Sequence, residues 1–550
     1  MTSDQAKELS DRFESLKGLR SPWTGIWDEI AKYVMPRRAP GMNGTVSSPS
    51  TADDALLFDT TAVRANMTLA NGQLAWMSPL ESSWFGFSAR KASDEAKRWL
   101  SDATAEIQRA MATSNAYLAL HEFYLDRSAF GTACLYIEPT AAGGLNFQVW
   151  PVGSFVIDED DNGQVDTVFR EFKMTVRQLV MRFGIEGVSE TVRKKFQAGG
   201  KDWHEKIDII HAIYPRLESE RDPKKIDGPN KPIASVYFEK GTLHVCQVSG
   251  YDEQPFMVSR YLEWGSGLGS LYGWSPSFAA TPDARQLNFI EKMGDALAEK
   301  AAFPPVLAPD ELEGEIDPNA NGVTYYSKDI AQTPPKEWMT AGRYDILLDR
   351  VARREKAIND AFHVDLFQMF AQLDKQMTAR EVAERSSEKL IQFSPTFARL
   401  TTELFNPMLH RVFALMQRSG RLGLPPQDLQ EYDIEYSSRI ALALRALPTI
   451  AYQRAIERIA MVAQFNSSIL DNYNFDKAER ETALLEGMSI DVLRPEIEVQ
   501  DIRAARAQAQ QQAMEAQQAM GAADAASKLG RIPNSSPVGQ MIGKALPNAA

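Results

Sequence analysis

The sequence predicts an α+β protein, predominantly helical, on three observations. Short apolar runs with β-branched or alternating residues crowd between positions 132 and 248; apolar residues at three- and four-residue steps dominate after 275; proline and glycine clusters separate the two regimes. With 550 residues, 44% hydrophobic and 24% charged, the chain is long enough for several packed cores and lies in the globular range.

Taken in order, the first element is an amphipathic helix, because Leu9, Phe13 and Leu16 recur at helical spacing among mixed charges. That pattern is not a signal peptide. Ala62–Met77 is a second helix, with Val63, Met67, Ala70, Leu74 and Met77 spaced to share a face. Strands are predicted at Thr132–Glu138, Phe147–Trp150, Ser154–Asp158, Val165–Phe172, Lys206–Tyr214, Ser235–Phe238 and Leu243–Val248, mostly parted by turn formers. Cys134 and Cys246 sit in two of these runs without a Cys-x-x-Cys partner, which predicts buried, reduced thiols.

From 275 the reading becomes helical. Ser275-Pro276 and Thr281-Pro282 each offer a cap followed by proline, and Leu287, Ile290, Gly294 and Leu297 hold one face to about Ala302, where Pro304-Pro305 stops it. Residues 303–342 hold six prolines and seven acids against two lysines, a compact excursion with a short strand candidate at Val323–Tyr326. A helix resumes near Arg343, with Tyr344, Leu347, Val351, Ile358 and Phe362 inward, and the two helices are expected to pack antiparallel as a hairpin. Between Phe362 and Met377 the amphipathic register breaks, which predicts a mobile segment. Thr378-Ala-Arg-Glu381 is a capping box opening a long helix toward Gln417, bent at Pro395 and Pro407 and ending near Gly420. Helical segments follow at 448–465, 476–487 and 495–520; residues 504–526 hold eleven Ala and six Gln, helix-forming without a stripe to bury, and disorder is expected beyond about 527.

Charge and motifs narrow the function. A net charge of −13 argues against a protein that wraps duplex DNA, yet suits one that surrounds DNA loosely and lets phosphate slide past. The apolar stretches are cut by charge, as by Arg454, Glu457 and Arg458 within Ile450–Phe465, so no membrane span is predicted and the chain reads as soluble and not secreted. There is no phosphate loop: Gly543-Lys544 is followed by Ala545, and the run Gly265–Gly273 has Ser270 where a dinucleotide fingerprint needs its third glycine. Asp158, Asp160, Asn162 and Gly163 copy the first half of a calcium loop, but Phe169 stands at its twelfth position, so a hairpin turn is the better reading than a weak cation site. His204, Asp208 and His211 do not converge, since strand alternation puts His211 on the face opposite the other two. No nucleophile elbow or zinc-protease motif appears, so neither catalytic residues nor cofactors are predicted.

Several segments nevertheless share wording and order with a known family. They are Ser21-Pro-Trp23-x3-Trp27-x5-Tyr33-x2-Pro36, Asp59-Thr-Thr-Ala62, Met77-x-Pro79-x4-Trp84-Phe85, Phe130-Gly-Thr132, Asp166-Thr-Val-Phe-Arg170-Glu-Phe, Tyr272-Gly-Trp-Ser-Pro276 with Leu287-Asn288, and Met377-Thr-Ala-Arg-Glu-Val382-x2-Arg385-x2-Glu388. Over roughly 10–510 the chain resembles the portal, or head-to-tail connector, family of short-tailed bacteriophages, and the collinearity carries the resemblance.

The resemblance implies a subunit with a wing (1–272 and 378–430), a two-helix stem (273–302 and 343–362), an inserted clip (303–342), a tunnel loop (363–377), a helical crown (431–510) and a tail (511–550) that is a barrel or disordered. It also implies a dodecameric ring at a capsid vertex of the virion, assembled in the host cytoplasm and serving genome packaging and ejection. The implied partners are double-stranded DNA passing through the channel without sequence specificity, the large terminase subunit, tail adaptor and tail tube proteins, and major capsid and scaffolding proteins, with no membrane. Tunnel candidates are Arg350, Arg353, Arg354, Lys356, His363, Phe367, Gln368 and Lys375, although the stem cations could instead pair with Asp345, Asp349, Glu355 and Asp360. Clip docking candidates are Asp310, Glu311, Glu313, Glu315, Asp317, Tyr325, Tyr326 and Trp338. The competing classes are an adaptor or internal head protein without a ring, and an enzyme on nucleic acid or cell-wall polymer.

Overall fold

A computed structural model describes residues 3–36, 38, 57–89, 93–140, 143–222, 224–263, 271–302, 306–307, 336–337, 344–371, 393–429, 431–438, 440–441, 455–465, 467–485, 494 and 496–530. The chain divides into two units, residues 1–444 and 445–550.

The first unit opens with helix α1 (Ser3–Val34). Its first half lays Leu9, Phe13 and Leu16 on a sheet, and its second half sends Trp27, Ile30, Ala31 and Val34 into the main core. Arg20 ties the helix down by donating to the carbonyls of Gly153 and Phe155. Helix α2 (Thr61–Met77) buries Ala62, Ala65, Leu69, Ala70 and Met77, whereas Met67 is exposed. Strand β1 (Phe85–Ser88) follows, then α3 (Asp94–Thr113), capped by Ser93, and α4 (Ala116–Phe130). Gly131, at φ +80°, turns α4 into β2 (Thr132–Pro139), and a side chain there would meet the Gly273 carbonyl.

The strands form two antiparallel sheets. One is three-stranded, β3 (Leu145–Trp150), β2 and β9 (Phe256–Arg260). The other is a five-stranded meander of β4 (Phe155–Glu159), β5 (Val165–Thr175), β6 (Lys206–Pro215), β7 (Ile233–Glu239) and β8 (Val245–Tyr251). Both faces of the meander are covered: α1 packs on Phe169, Ile210, Val236 and Phe238, while α5 (Val176–Phe183) and α6 (Glu190–Ala198) pack on Ile209, Tyr237 and Cys246. This is why β6 buries Ile209, Ile210, Ala212 and Ile213 together rather than every second residue.

Helix α7 (Pro276–Ala302) runs through Pro282 without a second start, which corrects the expectation of a cap at Thr281. The Thr281 hydroxyl donates instead to the Ser277 carbonyl one turn back, within the helix. The short strands β10 (Val306–Leu307) and β11 (Lys336–Glu337) pair antiparallel, and α8 (Tyr344–Ala361) returns along α7. The Arg354–Asp283 ion pair sits near the other end of the two helices, so they run antiparallel. His363, at φ +52°, breaks the helix before α9 (Val364–Ala371). After the undescribed stretch, a helix over 393–400 passes through a π-turn at Thr401–Phe405 into α10 (Asn406–Arg418), so Pro407 follows directly on a local widening of the helix. Strand β12 (Asp433–Tyr436) then pairs antiparallel with β1. The capping box at Thr378 and the strand candidate at Val323–Tyr326 lie outside the described residues.

The second unit carries a helix over 455–463, α11 (Phe475–Leu485) and α12 (Glu496–Gly530). The last is exposed along 500–521 apart from Ile502, as its composition predicts, and it continues to Gly530, three residues past the expected limit.

Candidate channel and docking elements

The helix pair α7–α8 is amphipathic by position: Ala284, Leu287, Ile290 and Ile358 are buried, while Phe289, Met293 and Leu348 are exposed. Its charges are mixed. Arg353 is 78% exposed and pairs with Asp349 one turn back at 2.9 Å, and Arg354 pairs across the hairpin with Asp283. Arg350 and Lys356 are exposed. On α7, partial burial first, and then the carboxylates of Asp59, Asp295 and Glu355, push the Glu291 carboxyl above its ordinary range. The hairpin therefore presents cations and acids side by side rather than a uniformly basic face.

The hairpin is anchored at its α7 end. Asn288 accepts the backbone N–H groups of Phe58 and Asp59, and Asp59 in turn caps Thr61 at the start of α2. Trp23 and Trp27 of α1 pack on Tyr272 and Trp274, and the Trp27 ring donates to the Phe130 carbonyl at 3.0 Å. Thr132 Oγ1 accepts from the Gly273 amide, and Ser275 donates to the Ala129 carbonyl. Sequence motifs far apart along the chain thus meet pairwise at the root of α7.

Of the remaining tunnel candidates, Gln368 is exposed, whereas the structure puts Phe367 in the core against Phe393 and Gly72, and His363 edge-on to Phe393. The segment expected to be a mobile loop is helical over Val364–Ala371, because Val364, Leu366 and Phe367 find a buried site against the α2 and α8 helices. Lys375 lies outside the described residues, as do all eight clip candidates, Asp310, Glu311, Glu313, Glu315, Asp317, Tyr325, Tyr326 and Trp338.

The decoys resolve as turns and core. Asp160 Oδ1 accepts the amides of Asn162 and Gln164 while Gly163 takes φ +75°, which makes Asp160–Gly163 the hairpin turn between β4 and β5; Asp158, near the end of β4, pairs with Arg12. His211 is buried, bonded through Nε2 to Ser235 and stacked on Tyr237 at 3.8 Å, and burial holds it well below its ordinary range, hence neutral. Asp208 faces Lys173, and no three His, Cys, Asp or Glu residues converge on a metal position among the described residues. Cys134 and Cys246 are buried free thiols, their pKa raised by burial.

Sequence reasoning missed the ion clusters that clasp the 393–418 helix to the sheets. Arg260, buried, meets Glu159, Glu263 and Glu403, and Arg399 bridges Glu263 and Glu403. Arg411 and Arg418 converge on Glu253. The local pairs Arg260–Glu263 and Arg399–Glu403 sit at helix-like spacing, but the links that join the two groups, and those to Glu159 and Glu253, come from distant elements that no local pattern marks.

The family described as bacteriophage head to tail connecting protein matches residues 6–493. The chain belongs to this family. Among its relatives, one named "Probable portal protein" from Bordetella phage BPP-1 is 32% identical over 547 residues, covering 96% of each chain. The portal protein of Salmonella phage epsilon15 is 28% identical over 551 residues, covering 98% of this chain and 97% of its own. The family match spans residues 6–493, and several of the sequence segments quoted above meet at the root of α7. No helix among the described residues is long and apolar enough to cross a membrane.

Proposed function

We propose that the chain is the portal subunit of a short-tailed phage: a structural virion protein that assembles as a ring and forms the channel for genome entry and exit. The near full-length family match carries the reading. The α7–α8 hairpin supports its use as the stem, with the excursion over 303–342 as the clip, the segment over 363–377 lining the channel, and the helices after 445 as the crown. In this arrangement the ring is a dodecamer on one capsid vertex, holding capsid and scaffolding proteins at its wing and offering its acidic clip first to the large terminase subunit and then to tail adaptor and tube proteins. Exposed Arg350 and Lys356 touch phosphates in passing. Native mass spectrometry with negative-stain imaging tests the reading: a ring of about twelve copies with a central hole is expected, since connectors close by cyclic symmetry. A closed dimer or a compact oligomer without a hole overturns it.

A further inference from the structure

Between the β2–β3 edge, the five-stranded sheet and α5 lies a cleft of about 530 Å³. Strand register puts Arg170, His211 and Tyr237 in one row across its floor. The Arg170 guanidinium lies 4.7 Å from the ring centroids of both Trp150 and Phe172, held between them. Its Nε is shut away from solvent with no acceptor, and no carboxylate pairs with it among the described residues. Other buried arginines, Arg260 apart, also leave one guanidinium nitrogen without an acceptor, but each has an oxygen partner elsewhere on the group: Arg260, Arg411 and Arg38 meet carboxylates, and Arg20 and Arg127 meet carbonyl or hydroxyl oxygens. The rest of the cleft does not cancel the charge. Arg182 donates to the Tyr237 hydroxyl and shares Glu138 at 3.6 Å, while Glu138 also accepts from Gln148. Lys173 reaches Asp208 only at 3.8 Å, outward. Three cations against two acids leave one positive charge in excess, and it is the deepest one.

We propose that this cleft binds the carboxylate side chain of an acidic segment from a partner protein, with Arg170 as its anchor. A half-buried cation without a counter-ion is costly, and an arriving carboxylate removes the cost while matching the guanidinium fork. The walls favour one charge on a short apolar stem, since Trp150, Phe172, Met174 and Met181 surround the cation. A nucleic-acid strand carries a charge at every nucleotide and needs an extended basic track, which three clustered cations do not make.

The purified protein is titrated with a capped pentaglutamate peptide, with capped pentaglutamine and inorganic phosphate as controls, following thermal melting and calorimetric affinity. Pentaglutamate is expected to raise the melting temperature by several degrees at saturation. Arg170→Gln, which removes no hydrogen bond, is expected to weaken the peptide about tenfold or more. Met181→Glu, at a rim position 73% exposed, supplies its own carboxylate: the variant is expected to melt higher than the parent and to ignore the peptide. This second variant decides the matter if Arg170→Gln does not fold. An equal response from pentaglutamine, an unchanged affinity in Arg170→Gln, or a Met181→Glu variant that still binds peptide would overturn the proposal. A stronger response to phosphate would overturn the choice of carboxylate.

Discussion

A methyl group on Gly72 would overlap the ring of Phe367, so this glycine in the middle of α2 is a socket for α9. Glycine inside a helix costs about 1 kcal/mol relative to alanine. Gly72→Ala is nonetheless expected to destabilise the protein by about 1–3 kcal/mol in urea unfolding, because the ring has no free space to turn into; combining it with Phe367→Leu should recover part of the loss. A buried acid supplies a pH test. Asp126 is fully buried, and desolvation, opposed by its ion pair with Arg38, pushes its pKa up to about 6. With the folded pKa above the unfolded one, the folded state binds the extra proton between about pH 4 and 6, so this group subtracts stability as the pH rises through that window and nothing further above it. Asp126→Asn should remove that pH dependence, so the difference in melting temperature between variant and parent is expected to change between about pH 4 and 6 and to stay constant above it. Phe367 was legible in the sequence as a large apolar residue in a register break, but not as a core residue, since only Gly72 on a distant helix makes room for it.

At the scale of elements, His363 is the joint between α8 and α9. A non-glycine residue in the left-handed region pays strain that a β-branched side chain pays more heavily. His363→Val is therefore expected to cost about 1–2 kcal/mol in thermal melting beyond His363→Gly, whose backbone is at ease there. A large difference would confirm that the sharp turn, and not the ring contact with Phe393, fixes the direction of α9. Elements with their own pattern were readable: the seven strands expected between 132 and 248 are all present, as are α2, α7 and α8. Strands β1, β9 and β12 were not, being four or five residues long and too short for alternation to stand out. Pro282 misled for a related reason. A proline reads as a helix start, yet seven residues into α7 the surrounding packing of Ala280, Ala284 and Leu287 outweighs one missing amide bond.

For the whole molecule, the charge of −13 sets how the ring treats its cargo. Duplex DNA is expected to bind the assembled particle weakly, with a logarithmic salt slope close to zero where a true DNA-gripping protein shows several units. Reversing Arg350 and Lys356 to glutamate together should leave ring formation intact and reduce packaged genomes per particle; an unaffected yield would remove both from the channel. The resemblance was legible because its motifs are spelled out in sequence, whereas their convergence at the root of α7 was not, as contacts such as Thr132–Gly273 depend on the finished fold. The pairing of β1 with β12 has a different consequence, one of timing. Ser88 and Glu435 are 347 residues apart, and at about 5–20 residues per second a ribosome needs roughly 20 to 70 seconds to deliver the second strand after the first. Throughout that interval the nascent chain carries an open edge flanked by Trp84, Phe85 and Phe87, rings that are buried once Tyr436 arrives. Chains released before residue 436 are therefore expected to aggregate rather than assemble.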